Sequence, residues 1–165
     1  LLVSYRGYSK STGTPSEKGI YRDGEAAVHY AIEELGVDEN DITIIGRSLG
    51  TTVAVHVAQG RPFKGLVLIT PITSGQDMAA AMGMGWVKLL AGNIFNAREK
   101  INKIKTKLLI IHGDQDELTP YVMGKELIEL FKGNKKMITI NGAGHNDLQE
   151  VDPNLFWRSI EDFLK

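Results

Sequence analysis

Residues 42–53 read Ile42-Thr43-Ile44-Ile45-Gly46-Arg47-Ser48-Leu49-Gly50-Thr51-Thr52-Val53, and this stretch decides the fold. The β-branched run Ile42–Ile45 predicts a buried strand, and Ser48–Gln59, stopped by Gly60, predicts a helix. Between them, Gly46-Arg47-Ser48-Leu49-Gly50 fits the pattern G-x-S-x-G. A serine on a sharp strand-to-helix turn is forced into a strained backbone conformation, and small flanking residues let that turn close. The same turn sets Ser48 at the positive end of a helix, with the Leu49 amide directed at any developing oxyanion. Taken alone, these residues also describe a glycine-bounded turn with a capping serine.

Outward from this turn, short apolar runs alternate with segments of helical period, the pattern of a parallel α/β sheet. Further strands are expected at Leu1–Tyr5, Gly65–Thr70, Lys107–His112 and Lys136–Ile140. Most are continuously apolar, as strands covered on both faces are. Helices are expected at Gly24–Leu35 after Asp23 as N-cap, at Tyr121–Phe131 after Thr119-Pro120, and at Pro153–Leu164 after Asp152. Gln76–Ala91, with Met78, Met82, Met84, Trp86 and Leu89-Leu90, reads as a loose amphipathic helix inside a small lid-like segment over about 74–100. The expected fold is a three-layer α/β sandwich around a mainly parallel five-stranded sheet, in one domain over residues 1–165.

Composition excludes several classes of function. The net charge is −1, with 42 % hydrophobic and 24 % charged residues, so neither nucleic acid nor an anionic membrane surface is the expected partner. The chain has no cysteine, which removes disulfides, thiolate metal sites and a cysteine nucleophile. No apolar run has the length of a membrane span, and no glycine-rich phosphate loop or metal-ligand spacing occurs. No cofactor is expected.

Two loops give the serine its partners. Gly113-Asp114-Gln115-Asp116-Glu117 follows the strand Lys107–His112, and Gly142-Ala143-Gly144-His145-Asn146-Asp147 follows Lys136–Ile140. Ligands of an open parallel sheet bind beyond the carboxyl ends of its strands, where all three loops lie. A serine hydroxyl is a weak nucleophile until an imidazole takes its proton, and the imidazole needs a carboxylate to hold its tautomer. Ser48, Asp116 and His145 are the expected nucleophile, orienting acid and base. Asp114 competes with Asp116 for the acid role, but reads better as a turn-stabilising residue. His112 reads as a hydrogen-bonded structural histidine, His29 and His56 as helix residues, and Asp147 as a cap of the turn after His145.

With these residues in place, the chain resembles the α/β-hydrolase superfamily, in which Ser…Asp…His is the chain order of the triad. It is most similar to the bud-emergence (Bem) branch of small-lidded serine hydrolases. The likeness lies in Tyr5-Arg6-Gly7-Tyr8 with Ser11, Gly13 and Pro15-Ser16-Glu17, in Thr70-Pro71 through Asp77-Met78, in Ile110-Ile111-His112-Gly113 through Asp116, and in Gly144-His145-Asn146-Asp147. Ser4 and Ser9 depart from it, standing where aspartate and glycine are usual.

The resemblance implies that strands preceding Leu1 are absent, among them the one between Leu1–Tyr5 and Ile42–Ile45, whose following loop supplies a second oxyanion amide. Either those strands lie outside this sequence, or Leu1–Tyr5 slides beside Ile42–Ile45, or a second copy completes the sheet as a homodimer. In the sliding arrangement the amides of Arg6 and Gly7 would stand in for the lost oxyanion donor. The expected activity is hydrolysis of a small carboxylic ester through an acyl-serine intermediate. Thioester or peptide cleavage on the same fold, and a weak or inactive scaffold that oligomerises, are the alternatives.

Overall fold

The computed structural model describes residues 1–84 and 93–165. Four parallel strands, β1 (Thr43–Arg47), β2 (Gly65–Ile69), β3 (Leu108–Gly113) and β4 (Lys135–Ile140), pair in the order β1-β2-β3-β4. Register runs from Thr43 opposite Gly65, through Leu66 opposite Leu108, to Leu108 opposite Lys135. Around them stand the α-helices α1 (Glu17–Glu33), α2 (Leu49–Val57), α3 (Gly75–Ala81), α4 (Tyr121–Leu130), α5 (Leu148–Val151) and α6 (Pro153–Leu164), with short 3-10 turns at Glu39–Asp41 and Ile101–Lys103.

Alternation along the strands divides the core in two. Leu66, Leu68, Leu108 and Ile110 pack with Ile20 and Val28 of α1, Val53 and Val57 of α2 and Leu127 of α4. Val67, Ile69, Leu109 and Ile111 point the other way, onto Leu148 of α5 and Phe156 and Ile160 of α6. Both faces of β2 and β3 are therefore covered, which accounts for their continuously apolar sequences. The result is the expected α/β sandwich of three layers, with one strand fewer than expected.

The missing strand is Leu1–Tyr5, which forms no ladder. Leu1 and Leu2 are 78 % and 99 % exposed rather than buried. An apolar run carries the strand signal, but a strand also needs an edge to pair with, and this segment does not pair with β1. It turns away at Tyr5–Tyr8, where the Tyr8 amide donates to the Tyr5 carbonyl, and is tied to α1 through Arg6. Among the described residues nothing pairs with the outer edge of β1, which opens on an apolar cleft of about 710 Å³ lined by Leu1, Val3, Tyr5, Ile45, Ser48 and Val53, among others.

Helix α1 starts earlier than expected because Ser16, not Asp23, is its N-cap: the Ser16 hydroxyl accepts from the Gly19 amide at 3.1 Å. Asp23 sits inside the helix and takes the guanidinium of Arg6 at 2.6 Å. That ion pair holds the Asp23 carboxyl below its usual pKa. At α6 the Asp152 side chain accepts from the Leu155 amide at 2.9 Å, as expected of a cap. Of the expected helix Gln76–Ala91, only α3 is observed, capped by Ser74 and ending at Ala81, before Met82 and Gly83, whose φ is 74°; the part with Trp86 and Leu89-Leu90 lies outside the described residues.

Candidate active site

Ser48 follows β1 directly and is held at φ 50°, ψ −122°, a region that side chains rarely enter. Its amide still donates to the Ile69 carbonyl at 3.0 Å, so the β1–β2 ladder runs into the turn and fixes it. Gly46 makes the turn possible: a Cβ there would lie 2.5 Å from the Gly50 carbonyl oxygen and 2.8 Å from the Ala54 Cβ. Leu49 is the first residue of α2, where a backbone N–H has no partner within the helix.

Asp116, in the loop after β3, is buried at the centre of a set of donors. Its Oδ1 accepts from the amides of Leu118 at 2.9 Å and Thr119 at 2.8 Å. Its Oδ2 lies 2.7 Å from the Thr119 hydroxyl, 2.9 Å from His145 Nδ1 and 3.2 Å from His112 Nε2. Burial opposes the charged carboxylate, but the bonds from His112, Thr119 and His145 outweigh it and hold the Asp116 pKa far below the ordinary 3.8. An ionised Asp116 can only accept, so His145 faces it with a proton on Nδ1, and in the neutral ring that makes Nε2 the lone-pair nitrogen.

His112 is fully buried and touches the acid directly. Its Nε2 is also 2.8 Å from the Thr119 carbonyl, whereas its Nδ1 has no partner among the described residues. Both neighbours of Nε2 are acceptors, so the proton sits on Nε2. The expected structural histidine thus orients the carboxylate.

The acid and base loops lie back to back. A Cβ on Gly113 would come within 2.2 Å of the Ala143 carbonyl oxygen, and that oxygen accepts from the Gln115 amide at 3.0 Å. Asp114 receives the Gly142 amide at 2.7 Å, and Asp147 receives the Gly144 amide at 2.7 Å. Asp114 is therefore a clamp between the two loops, and Asp116 is the carboxylate at His145. Among the described residues no hydrogen bond joins Ser48 Oγ to His145. Among the described residues the hydrogen-bonded link between the serine turn and the histidine loop is made by Arg47, whose guanidinium donates to the His145 carbonyl at 3.0 Å and to Asn146 Oδ1 at 2.9 Å.

Arg6 and Gly7 do not occupy the position expected of oxyanion donors. The Arg6 amide donates to Asp23 Oδ2 at 2.9 Å and the Gly7 amide to the Thr12 carbonyl at 3.1 Å. With Leu1–Tyr5 outside the sheet, the substitution of these amides for a missing donor fails. It is Tyr5 that approaches the serine turn, its hydroxyl 3.4 Å from where a Cβ on Gly50 would lie. Thr119 and Arg47 also escaped sequence reading: Thr119 read as a helix cap, whereas no side chain caps α4 and its hydroxyl turns to Asp116 instead.

Among the described residues, no group of three His, Cys, Asp or Glu side chains stands together as a metal site, and no helix is long and apolar enough to cross a membrane. The profile of the prolyl oligopeptidase family matches residues 13–165. The chain belongs to that family. This family member is 33 % identical over 166 residues to an uncharacterised protein of Mycobacterium tuberculosis, covering 99 % of this chain and 59 % of that protein. It is 34 % identical over 145 residues to alpha/beta hydrolase domain-containing protein aho-3 of Caenorhabditis elegans, covering 88 % of this chain and 43 % of the nematode protein. It thus spans about half the length of these curated relatives. Among solved structures, an esterase of Pyrococcus furiosus superposes with a TM-score of 0.79 at 24 % identity, covering 97 % of this chain and 66 % of that one. An alpha-beta hydrolase of Vibrio vulnificus gives 0.77 at 23 % identity, covering 96 % and 61 %. This prolyl oligopeptidase family member accordingly has the α/β-hydrolase fold.

Proposed function

We propose that this family member carries a serine hydrolase centre that cleaves small carboxylic esters through an acyl-serine intermediate. One observation carries the reading: the strained Ser48 at the start of α2 opens on the same sheet edge as the Asp116–His145 pair, joined at 2.9 Å. Ser48 Oγ attacks the ester carbonyl and gives its proton to His145 Nε2, while Asp116 holds Nδ1–H and stabilises the imidazolium. The tetrahedral oxyanion faces the Leu49 amide and the positive end of α2. On collapse, His145 returns the proton to the leaving alkoxide, and a water activated by the same nitrogen then releases the acid and restores Ser48.

The solved neighbours named as esterases support an ester substrate. The matched family's name favours a peptidase as the second reading. The experiment is hydrolysis of a short-chain p-nitrophenyl ester beside an aminoacyl p-nitroanilide, with wild type and Ser48→Ala. Ester turnover that drops to the spontaneous rate in Ser48→Ala, with Ser48 labelled by a fluorophosphonate in wild type, is the expected outcome. Turnover of the anilide alone moves the assignment to a peptidase. Equal rates for wild type and Ser48→Ala overturn the enzyme reading and favour a scaffold that pairs through the open β1 edge.

A further inference from the structure

Position x before the serine in G-x-S-x-G is unconstrained by the turn itself, yet Arg47 makes there the one connection described above between the serine turn and the histidine loop. We propose that Arg47 is a positioning residue that sets His145 in register with Ser48, an inference that rests on reading these two as base and nucleophile.

His145 sits between Gly144 and Asn146, in a loop whose other hydrogen bonds to a neighbouring loop lead, among the described residues, to the acid side. Its ring is held at Nδ1 by Asp116, and the loop by Gly142 to Asp114 and by Gln115 to Ala143. Those contacts fix the imidazole relative to β3 and leave its distance from the β1 turn unspecified. Arg47 specifies it, because its backbone is the residue next to the nucleophile and its Nη2 reaches the carbonyl of the base residue itself. Asn146 Oδ1 accepts from the same nitrogen and keeps it from swinging away. The tether spans 98 residues of sequence, so nothing local replaces it.

Charge-assisted donation to a carbonyl is stronger than a neutral hydrogen bond, whereas an exposed side chain adds little to global stability. Rate and stability should therefore separate on substitution. The test compares wild type, Arg47→Met and Arg47→Lys by the rate of fluorophosphonate labelling of Ser48, by the imidazole resonances of His145, and by melting temperature. Arg47→Met should label roughly ten- to a hundredfold more slowly, as expected for a reacting group displaced by about 1 Å. Its His145 resonances should shift, and its melting temperature should stay within about 2 °C of wild type. Arg47→Lys, which keeps a charged donor, should recover much of the rate. Wild-type labelling by Arg47→Met with an unchanged His145 signal overturns the proposal, as does a rate loss matched by a fall in melting temperature. If wild type itself is not labelled, the hydrolase reading fails, and the His145 signal of Arg47→Met against wild type still decides the tether.

Discussion

Asp116 shows how a carboxylate can be buried and stay charged. Two amides saturate Oδ1, and Oδ2 faces the Thr119 hydroxyl and two imidazole nitrogens. Because its folded-state pKa is depressed, its contribution to stability is fully present above the ordinary value of 3.8 and is lost as pH falls through the folded value. Urea denaturation of wild type and Asp116→Asn from about pH 6 to about pH 2 should show the stability gap between them closing below about pH 4. A gap independent of pH would mean that the carboxylate gains nothing from its surroundings. At this scale the sequence was legible where a residue type has few uses: a serine between glycines after a strand, and a histidine just behind two glycines after another. His112 was legible as a hydrogen-bonded histidine but not as a partner of Asp116, and Thr119 and Arg47 were not legible in their roles, because each contact depends on where a loop returns in space and leaves no periodic mark.

At the scale of elements, the site is an arrangement of loop ends on a rigid parallel edge, and its tolerance is set by the closest approach between them. Gly113 ends β3 where the base loop passes, with backbone and not a flexible side chain in the way. Gly113→Ala should cost about 1–3 kcal/mol, the usual range for overpacking. It should also slow fluorophosphonate labelling of Ser48 by roughly a hundredfold, because the displaced loop carries His145. Denaturation and labelling on the same samples check both figures, and labelling at the wild-type rate would show that the loop relaxes without moving the base. The strands β1–β4 were readable to within a residue or two as apolar or β-branched runs, which in β2 and β3 follow from burial on both faces. Leu1–Tyr5 carries the same signal and is not a strand, since composition records the wish to be buried and not the presence of a neighbour. The start of α1 was misplaced for a local reason: Gly19 and Gly24 interrupt the helical pattern between Ser16 and the apolar stretch that made Asp23 look like the cap.

Over the whole molecule, the two core clusters enclose β2 and β3 from both sides, while β1 and β4 are each paired, among the described residues, along one edge only. The nucleophile thus rides on one edge strand and His145 follows the other, while Asp116 follows the enclosed β3. Openings that release part of a structure cost less than global unfolding where fewer contacts must break. The amides of Thr43–Arg47 should therefore exchange with deuterium before those of Leu108–Gly113, and exchange at equal rates would show that the sheet opens as a single unit. The consequence is thermal: on slow heating, the chemistry at Ser48 should fail several degrees before the circular dichroism of the sheet is lost, and should return on cooling while β2 and β3 are still intact to template the docking of β1.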